Sequence, residues 1–405
     1  MIALAWRNLW RQPRRTLLTL AVIMLAGTVT VFLLALQAGS YATMKSNTLG
    51  VFDGYAQVQR PAYLDDPGIR RTIAHPERLA RTIADVEGVG IVAPRAATYA
   101  LLSHGEHSVG AYVVGVEPKA EAGVSSIAGS LREGSYLSPG DAAELVLGQA
   151  LARNLVVAVG DQVTLLGMTR NGSVAADVLT VRGIFASGVN ALDRQLAELP
   201  LARFQADFAM ADTANLLVVS GHGLSEVQAA LPDIRRLVAP DGLAVRAWDE
   251  LEPGLAAAIR LDASTSMLWY VSLVVVVVVL LLNTLLMSVL ERTREFGVLL
   301  ALGMRAGTLS RLVWLELLLL LGLGLVAGMI LGGGLVAWYG THGLELPGAK
   351  GVFAQWGLPS RMYLQLSAFS LLTGPAAIAL ATAVAGLIPY LRIRRLRPVA
   401  AMRAA

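Results

Sequence analysis

Four stretches of the chain stay apolar for longer than a buried strand or a soluble helix requires: residues 17–38, 267–290, 312–338 and 366–391. The second, MLWYVSLVVVVVVLLLNTLLMSVL, is rich in valine, and in water a short run of that kind suggests a strand. At about 1.5 Å per residue, a helix of this length covers roughly 36 Å, enough to cross a hydrocarbon core of about 30 Å with some tilt. Four membrane-spanning helices are therefore expected. Ahead of the first, MIALAWRNLWRQ places Ile2, Trp6, Leu9 and Trp10 on one side of a short helix, a pattern suited to the membrane interface. A cleavable leader is the competing reading, because LALQA supplies small residues. The apolar run is, however, roughly twice a normal h-region.

Between the first and second runs the pattern shortens into mixed strand and helix signals. Residues 55–60 alternate as a strand does, and 75–89 carry Pro76 near a helix start with apolar residues at helical spacing. Residues 96–116 predict a hairpin about Gly105, and 145–167 a strand, a helix, a Gly-Asp turn and a strand. Alternation returns over 174–185, and 204–210, 216–220, 224–237 and 243–248 complete a second set of β and α elements. Helices over 42–50 and 251–266 are expected to form a stalk between this insert and the membrane. The expected fold is thus an α-helical membrane protein with four transmembrane helices and a large α+β periplasmic domain inserted between helices 1 and 2. Its parts are 1–41 (interfacial helix and first span), 42–265 (two subdomains with stalk helices) and 266–405 (three spans, a loop at 291–311 and a basic C-terminal tail).

Composition agrees: 55% of residues are hydrophobic and 15% charged. The net charge of +4 is almost entirely arginine, since the only lysines are Lys45, Lys119 and Lys350. The arginines fall in three groups: Arg7, Arg11, Arg14 and Arg15; Arg292, Arg294, Arg305 and Arg311; Arg392, Arg394, Arg395, Arg397 and Arg403. With four spans all three groups lie on one side, and the positive-inside rule makes it cytoplasmic, with both termini inside and 42–265 outside. Cysteine is absent, which excludes disulfides, thiolate metal sites and cysteine nucleophiles. No Gly-Lys dipeptide exists, so there is no P-loop of the GxxxxGK[ST] kind. His104 and His107 flank Glu106 at the hairpin tip without an obvious third metal ligand, which favours a solvated turn over a metal site. His75, His222 and His342 are scattered, and no nucleophile elbow is present.

Within the spans, Gly324, Gly328 and Gly332 recur every four residues and form a smooth stripe for close helix packing, inside the chain or between subunits. Asn283 lies deep in the second span, where an unpaired amide is costly, and is expected to bond to another helix. Pro375 and Pro389 should kink or end the fourth span. The 291–311 loop differs from these. Phe296, Val298, Leu299, Leu300 and Leu302 form a short apolar helix ending at Gly303, with Glu291, Arg292, Arg294 and Glu295 at its base. Such a helix either rests on lipid or inserts into a cleft of a cytoplasmic partner, apolar face first, its charges setting register.

Taken together, LAWRNLWRQPRRTLLT before a first span, a large insert, and ERTREFGVLLALGM between the next two spans resemble the permease subunits of type VII ABC transporters, the macrolide-exporter and FtsX-like superfamily. LGQALARNLVVAVGDQVTL (147–165) and VRGIFASGVNALD (181–193) look most like its lipoprotein-releasing, LolC/LolE-type branch. The resemblance implies a dimer with a second permease copy or paralogue, seated on a dimer of separate P-loop ATPases that hold the ATP and Mg; no cofactor is expected on this chain itself. It also implies mechanotransmission in a bacterial inner membrane, with Glu291, Arg292, Arg294, Glu295, Phe296, Gly297 and Gly303 coupling to the ATPase. Expected partners beyond these are the lipid bilayer and a periplasmic lipoprotein carrier or adaptor; nucleic acid is not expected. The chain lacks the fused ATPase of the macrolide exporters and the Ser-Gly-rich first-span opening of the standard lipoprotein-releasing pair. Lipoprotein release is the leading expectation. Efflux with an adaptor and duct is one alternative, and a cell-division-type scaffold that activates a periplasmic hydrolase is another, whose outer domain would be much smaller.

Overall fold

A computed structural model of the protein describes residues 1–345 and 361–394. Two compact units emerge, one holding Met1–Thr43 with the described residues from Ala258 on, the other Met44–Ala257. Arg395, Arg397 and Arg403 of the basic tail lie outside the described residues.

The first unit is helical. Ile2–Leu9 precedes Pro13–Leu49; Pro253–Glu291 and Ala306–His342 flank the short helix Thr293–Ala301; Ala368–Ala385 and Leu387–Arg394 follow. Among the described residues four helical segments are long and apolar enough to cross a membrane, at the positions read from the sequence. Pro375 is accommodated within Ala368–Ala385, and the break before Leu387–Arg394 falls at Gly386. All four spans contribute to one cluster: Ile23 and Ala26, Val277 and Leu281, Leu321 and Leu325, Ile378. The glycine stripe faces the first span of the same chain. A Cβ on Gly324 would lie 2.6 Å from Ile23 Cγ2, and one on Gly328 would lie 2.7 Å from the Met24 carbonyl oxygen. A Cβ on Gly332 would lie 3.0 Å from Val31 Cβ, and Thr28 Oγ1 donates to the Gly328 carbonyl at 3.3 Å. Glycine lets two backbones meet where the bilayer offers no hydrophobic drive between helices.

The second unit is built on one ten-stranded sheet. Its strands are β1 (Ala56–Gln59), β2 (Val92–His104), β3 (His107–Val116), β4 (Leu131–Gly134), β5 (Glu144–Gly148), β6 (Gln162–Met168), β7 (Val174–Phe185), β8 (Leu196–Pro200), β9 (Leu216–Val219) and β10 (Ala244–Ala247). They run in the order β10-β1-β9-β2-β3-β8-β5-β7-β4, and β6 pairs with both β2 and β7. The pairing β2-β3-β8-β5-β7-β6-β2 therefore closes on itself, which removes the edges an open sheet must protect. The long β2 makes this possible, pairing β9 through Val92–Arg95 and β6 through Leu101–Ser103. Its hairpin with β3 turns at Gly105, whose φ of +55° suits glycine. Inside the ring sit Leu102, Val113, Leu147, Leu165 and Val181, all buried. On the β10-β1-β9 side, helices Pro76–Ala84 and Leu224–Val238 cover Val58, Leu217 and Val245. The two motifs singled out in the sequence meet here as turn hardware. Asp161 Oδ2 accepts from the Ala158 amide at 2.8 Å, and Asp193 Oδ1 accepts from Ser187 N and Oγ at 2.8 and 2.6 Å.

One face of this sheet carries a buried polar group. Arg95, 1% exposed, donates to both oxygens of the fully buried Glu121 at 2.9 and 2.6 Å and stacks 4.0 Å from the Phe52 ring centre. Glu198, also fully buried, accepts from Tyr136 Oη at 2.7 Å. Burial, and secondarily Glu121, push the Glu198 carboxyl up to about 8 from 4.5. Between those values the folded chain holds a proton the unfolded chain has lost, so stability falls as pH rises through that window, by up to about 1.4 kcal/mol per unit. Proteolysis of the full chain in urea should give a lower midpoint for this unit at pH 8 than at pH 5.5, and Glu198→Gln should flatten the difference. A pH-independent midpoint in the unaltered chain contradicts the assignment.

Candidate coupling site

The residues expected to couple cluster where the second span ends. Arg15 donates to Glu291 Oε2 at 2.8 Å and to the Thr284 carbonyl. Arg292 reaches Glu316 at 3.2 Å and Glu295 at 3.6 Å, and Arg11 reaches Glu295 at 3.6 Å. Asn8 Nδ2 donates to the other oxygen of Glu316 at 2.7 Å. These groups surround a cavity of 210 Å³. Arg15 thereby ties the first span to the end of the second, while Asn8, Glu316, Arg292, Glu295 and Arg11 tie the N-terminal segment, the third span and the short helix in a second polar network. Its exposed pair, Arg11 with Glu295, contributes on the order of 0–1 kcal/mol. Glu316 is only 8% exposed, so loss of its partners would strand a charge in an apolar span.

Phe296 corrects an expectation. It does not point outward with the apolar face but is 1% exposed, packed with Val289, Leu309, Val313 and Ile393, and Gly297 beside it is buried. Both residues anchor the short helix to the bundle. Gly303, at φ +94°, ends that helix, its amide donating to the Leu300 carbonyl at 3.1 Å and that of Met304 to Leu299 at 3.0 Å. What faces outward is Arg294, Val298 and Leu302, four residues apart on one side, with Met304 beyond the turn. Val298 is 48% and Leu302 79% exposed. Arg294 has no ion-pair partner among the described residues, whereas Glu291, Arg292 and Glu295 are all engaged.

Asn283 is also corrected. It is exposed on the second span, turned away from the face that buries Val277, Leu281 and Val289, and its amide bonds no other helix among the described residues. The amide that does bridge spans is Gln37, which donates to Tyr41 Oη at 2.7 Å and accepts from Tyr270 Oη at 3.1 Å, while Tyr41 donates to Asp262 at 2.6 Å. Sequence reasoning missed this set, although polar residues one turn apart at the end of a span were its signal. It missed Glu316 too, a lone carboxylate inside LVWLELLLLL. His104, at the hairpin tip, has Nδ1 2.8 Å from the Gln162 carbonyl oxygen, and no group of three or more metal-binding side chains occurs among the described residues.

Two family models match this chain. The FtsX-like permease C-terminal model covers residues 267–398, and the MacB-like periplasmic core domain model covers 16–237, more than half of the sequence. The chain is an ABC transporter permease of the FtsX/MacB type. The lipoprotein-releasing system transmembrane protein LolE of Haemophilus influenzae is 33% identical to the permease over 138 residues, which span 33% of either chain. Two solved structures show a looser likeness. The extracellular domain of the noncanonic ABC-type transporter YknZ from Gram-positive bacteria matches at TM-score 0.36 and 13% identity, over 48% of the permease and 98% of that chain. The periplasmic region of MacB from Actinobacillus actinomycetemcomitans matches at TM-score 0.37 and 12% identity, over 51% and 94%. Members of this family work with ATPase partners, and the permease is a multi-pass membrane protein with a periplasmic-type domain between its first two spans.

Proposed function

We propose that the permease transmits ATP-driven motion from a separate P-loop ATPase dimer to its inserted domain, releasing a lipidated protein from the bacterial inner membrane. The observation that carries the coupling is the outward face of Arg294, Val298 and Leu302 on a helix anchored by Phe296 and the ion pairs of Arg292 and Glu295. An apolar ridge with one uncommitted cation suits a cleft rimmed by acid, in the manner of helix-in-groove recognition. The arginines of the N-terminal segment and of this loop support a cytoplasmic location for that face and a periplasmic one for the inserted domain. Under this reading ATP and Mg bind the ATPase, a second permease copy or paralogue completes the complex, and the cargo class follows the lipoprotein-releasing relative. A soluble periplasmic carrier would receive the cargo.

The test is capture of the ATPase from native membranes, followed by reconstitution of the captured complex in liposomes with an acylated lipoprotein and a soluble acceptor. Arg294→Glu with Leu302→Asp should lower ATPase capture by about tenfold, the loss of roughly 1.4 kcal/mol or more at a small hot spot. Lipoprotein should reach the acceptor only with ATP. Undiminished capture by the double variant overturns the coupling face. Capture without ATP-dependent release, or cargo moved only with an adaptor, overturns the cargo.

A further inference from the structure

A second cavity, of 370 Å³, lies within the inserted domain on the sheet face that carries Arg95. Transport as proposed makes no use of it. Gln59 lines it from β1; directly opposite in register is Leu216, which in turn pairs with Arg95. The Gln59 side chain is 1% exposed, and neither its Oε1 nor its Nε2 has a hydrogen-bond partner among the described residues. A buried amide with neither group satisfied is destabilising, a cost that a ligand's own donor and acceptor would remove. Also on the wall, the carboxyl groups of Asp53 and Glu252 face each other at hydrogen-bonding range. Arg95, the cation on this face, is already committed to Glu121 through both oxygens. Phe52, Leu192 and Leu196 supply apolar wall between the polar groups.

We propose that this cavity binds an aminoacyl group: an ammonium next to a carbonyl, carried on an aromatic or branched aliphatic side chain. The ammonium would donate to the Asp53–Glu252 pair and to Gln59 Oε1. The carbonyl would accept from Gln59 Nε2, and the side chain would lie against Phe52 and the two leucines. Burial, and then the charge of Asp53, push the Glu252 carboxyl up to about 7, and burial raises Asp53 as well. The pair therefore holds a proton near neutral pH, which an arriving ammonium would displace. The other groups facing this region are Arg95, Glu121, Glu198, Tyr63, Tyr99 and Tyr112. Glu198 keeps its proton to about 8, and burial holds the Tyr63 and Tyr112 phenols above their ordinary range, so these three do not account for a change near 7.

The probes are phenylalaninamide, its N-acetyl derivative, 2-phenylethylammonium and the tripeptide amide Phe-Ala-Ala, titrated calorimetrically into the full chain in lipid nanodiscs. Phenylalaninamide should bind at least about tenfold more tightly than the acetylated compound, the equivalent of one charge-assisted hydrogen bond. Its affinity should fall between pH 7 and pH 5.5, where the ligand is already an ammonium and the acid pair loses negative charge by protonation. Gln59→Leu, which removes both the carbonyl's donor and one acceptor of the ammonium, should weaken phenylalaninamide about tenfold and 2-phenylethylammonium distinctly less, while Glu252→Gln should weaken both. Equal binding of the tripeptide amide supports a peptide N-terminus as the occupant; markedly weaker binding of it supports a free amino-acid derivative. No binding of phenylalaninamide, or equal binding of the acetylated compound, overturns the proposal, and the unaltered chain alone decides this if a variant fails to fold. Since neither ATPase nor cargo is present, the outcome is independent of the transport reading.

Discussion

Gly328→Leu should sharply lower the thermal unfolding midpoint of the permease, whereas Gly334→Leu, six positions further along the same helix, should be tolerated. At position 328 the first added carbon would lie 2.7 Å from the Met24 carbonyl oxygen and 3.2 Å from both Gly27 Cα and Thr28 N. All three are backbone atoms of the opposing span, so no rotamer change relieves the clash and the two helices must separate. Separation also breaks the Thr28–Gly328 hydrogen bond and opens the cluster of Ile23, Leu321 and Leu325. Overpacking a core costs about 1–3 kcal/mol when side chains can give, and more when only backbone can; a loss of 3 kcal/mol or more is expected. At Gly334 nothing lies within 4 Å of the added carbon. Both substitutions change helix propensity alike, so their difference isolates close packing between the first and third spans. Thermal unfolding in nanodiscs measures it. Equal midpoints for the two variants would place the stripe against another subunit instead.

That contrast also marks how far the sequence could be read. The four spans were legible because a bilayer imposes a length and an apolarity that nothing else in the chain shares. Local elements of the insert were legible where turn chemistry was explicit, as at Gly105, Pro76 and the Gly160-Asp161 turn. Closure of the sheet was not, because the pairings of β2 with β6 and of β8 with β3 join residues far apart in sequence and leave no local pattern. At the coupling site the charges were legible but their assignment was not. Arg292 and Arg294 are alike in the string ERTREFG, yet 100° per residue turns one toward Glu316 and the other away from the bundle. The same geometry sends Phe296 inward and Leu302 outward. Asn283 failed for the complementary reason: depth in a span makes a partner desirable, but only the packed face decides whether one is present.

Arg95→Met should destabilise the inserted domain by about 3–5 kcal/mol, and much of that loss should return when Glu121→Leu is added. Removing one member of a buried ion pair leaves the other charged, desolvated and uncompensated, whereas replacing both with apolar groups of similar volume is often neutral. Here the stranded group would be Glu121, fully buried, its two short bonds lost. The reverse single change, Glu121→Gln, should cost less than Arg95→Met. Arg95 is also faced by Glu198 and Asp53, and Glu198, which holds its proton up to about 8, can release it and supply the missing charge. A measurable consequence follows for pH. In Arg95→Met the cation that lowers the Glu198 carboxyl is gone, so Glu198 holds its proton more tightly and that variant should regain stability more steeply as pH falls toward 5. In Glu121→Gln the fall of stability between pH 5 and 8 assigned to Glu198 should shrink, because Arg95 then favours its ionised form in the fold. Urea midpoints of the two variants at pH 5 and pH 8 separate these slopes, and parallel pH profiles would show that Glu198 does not stand in for Glu121.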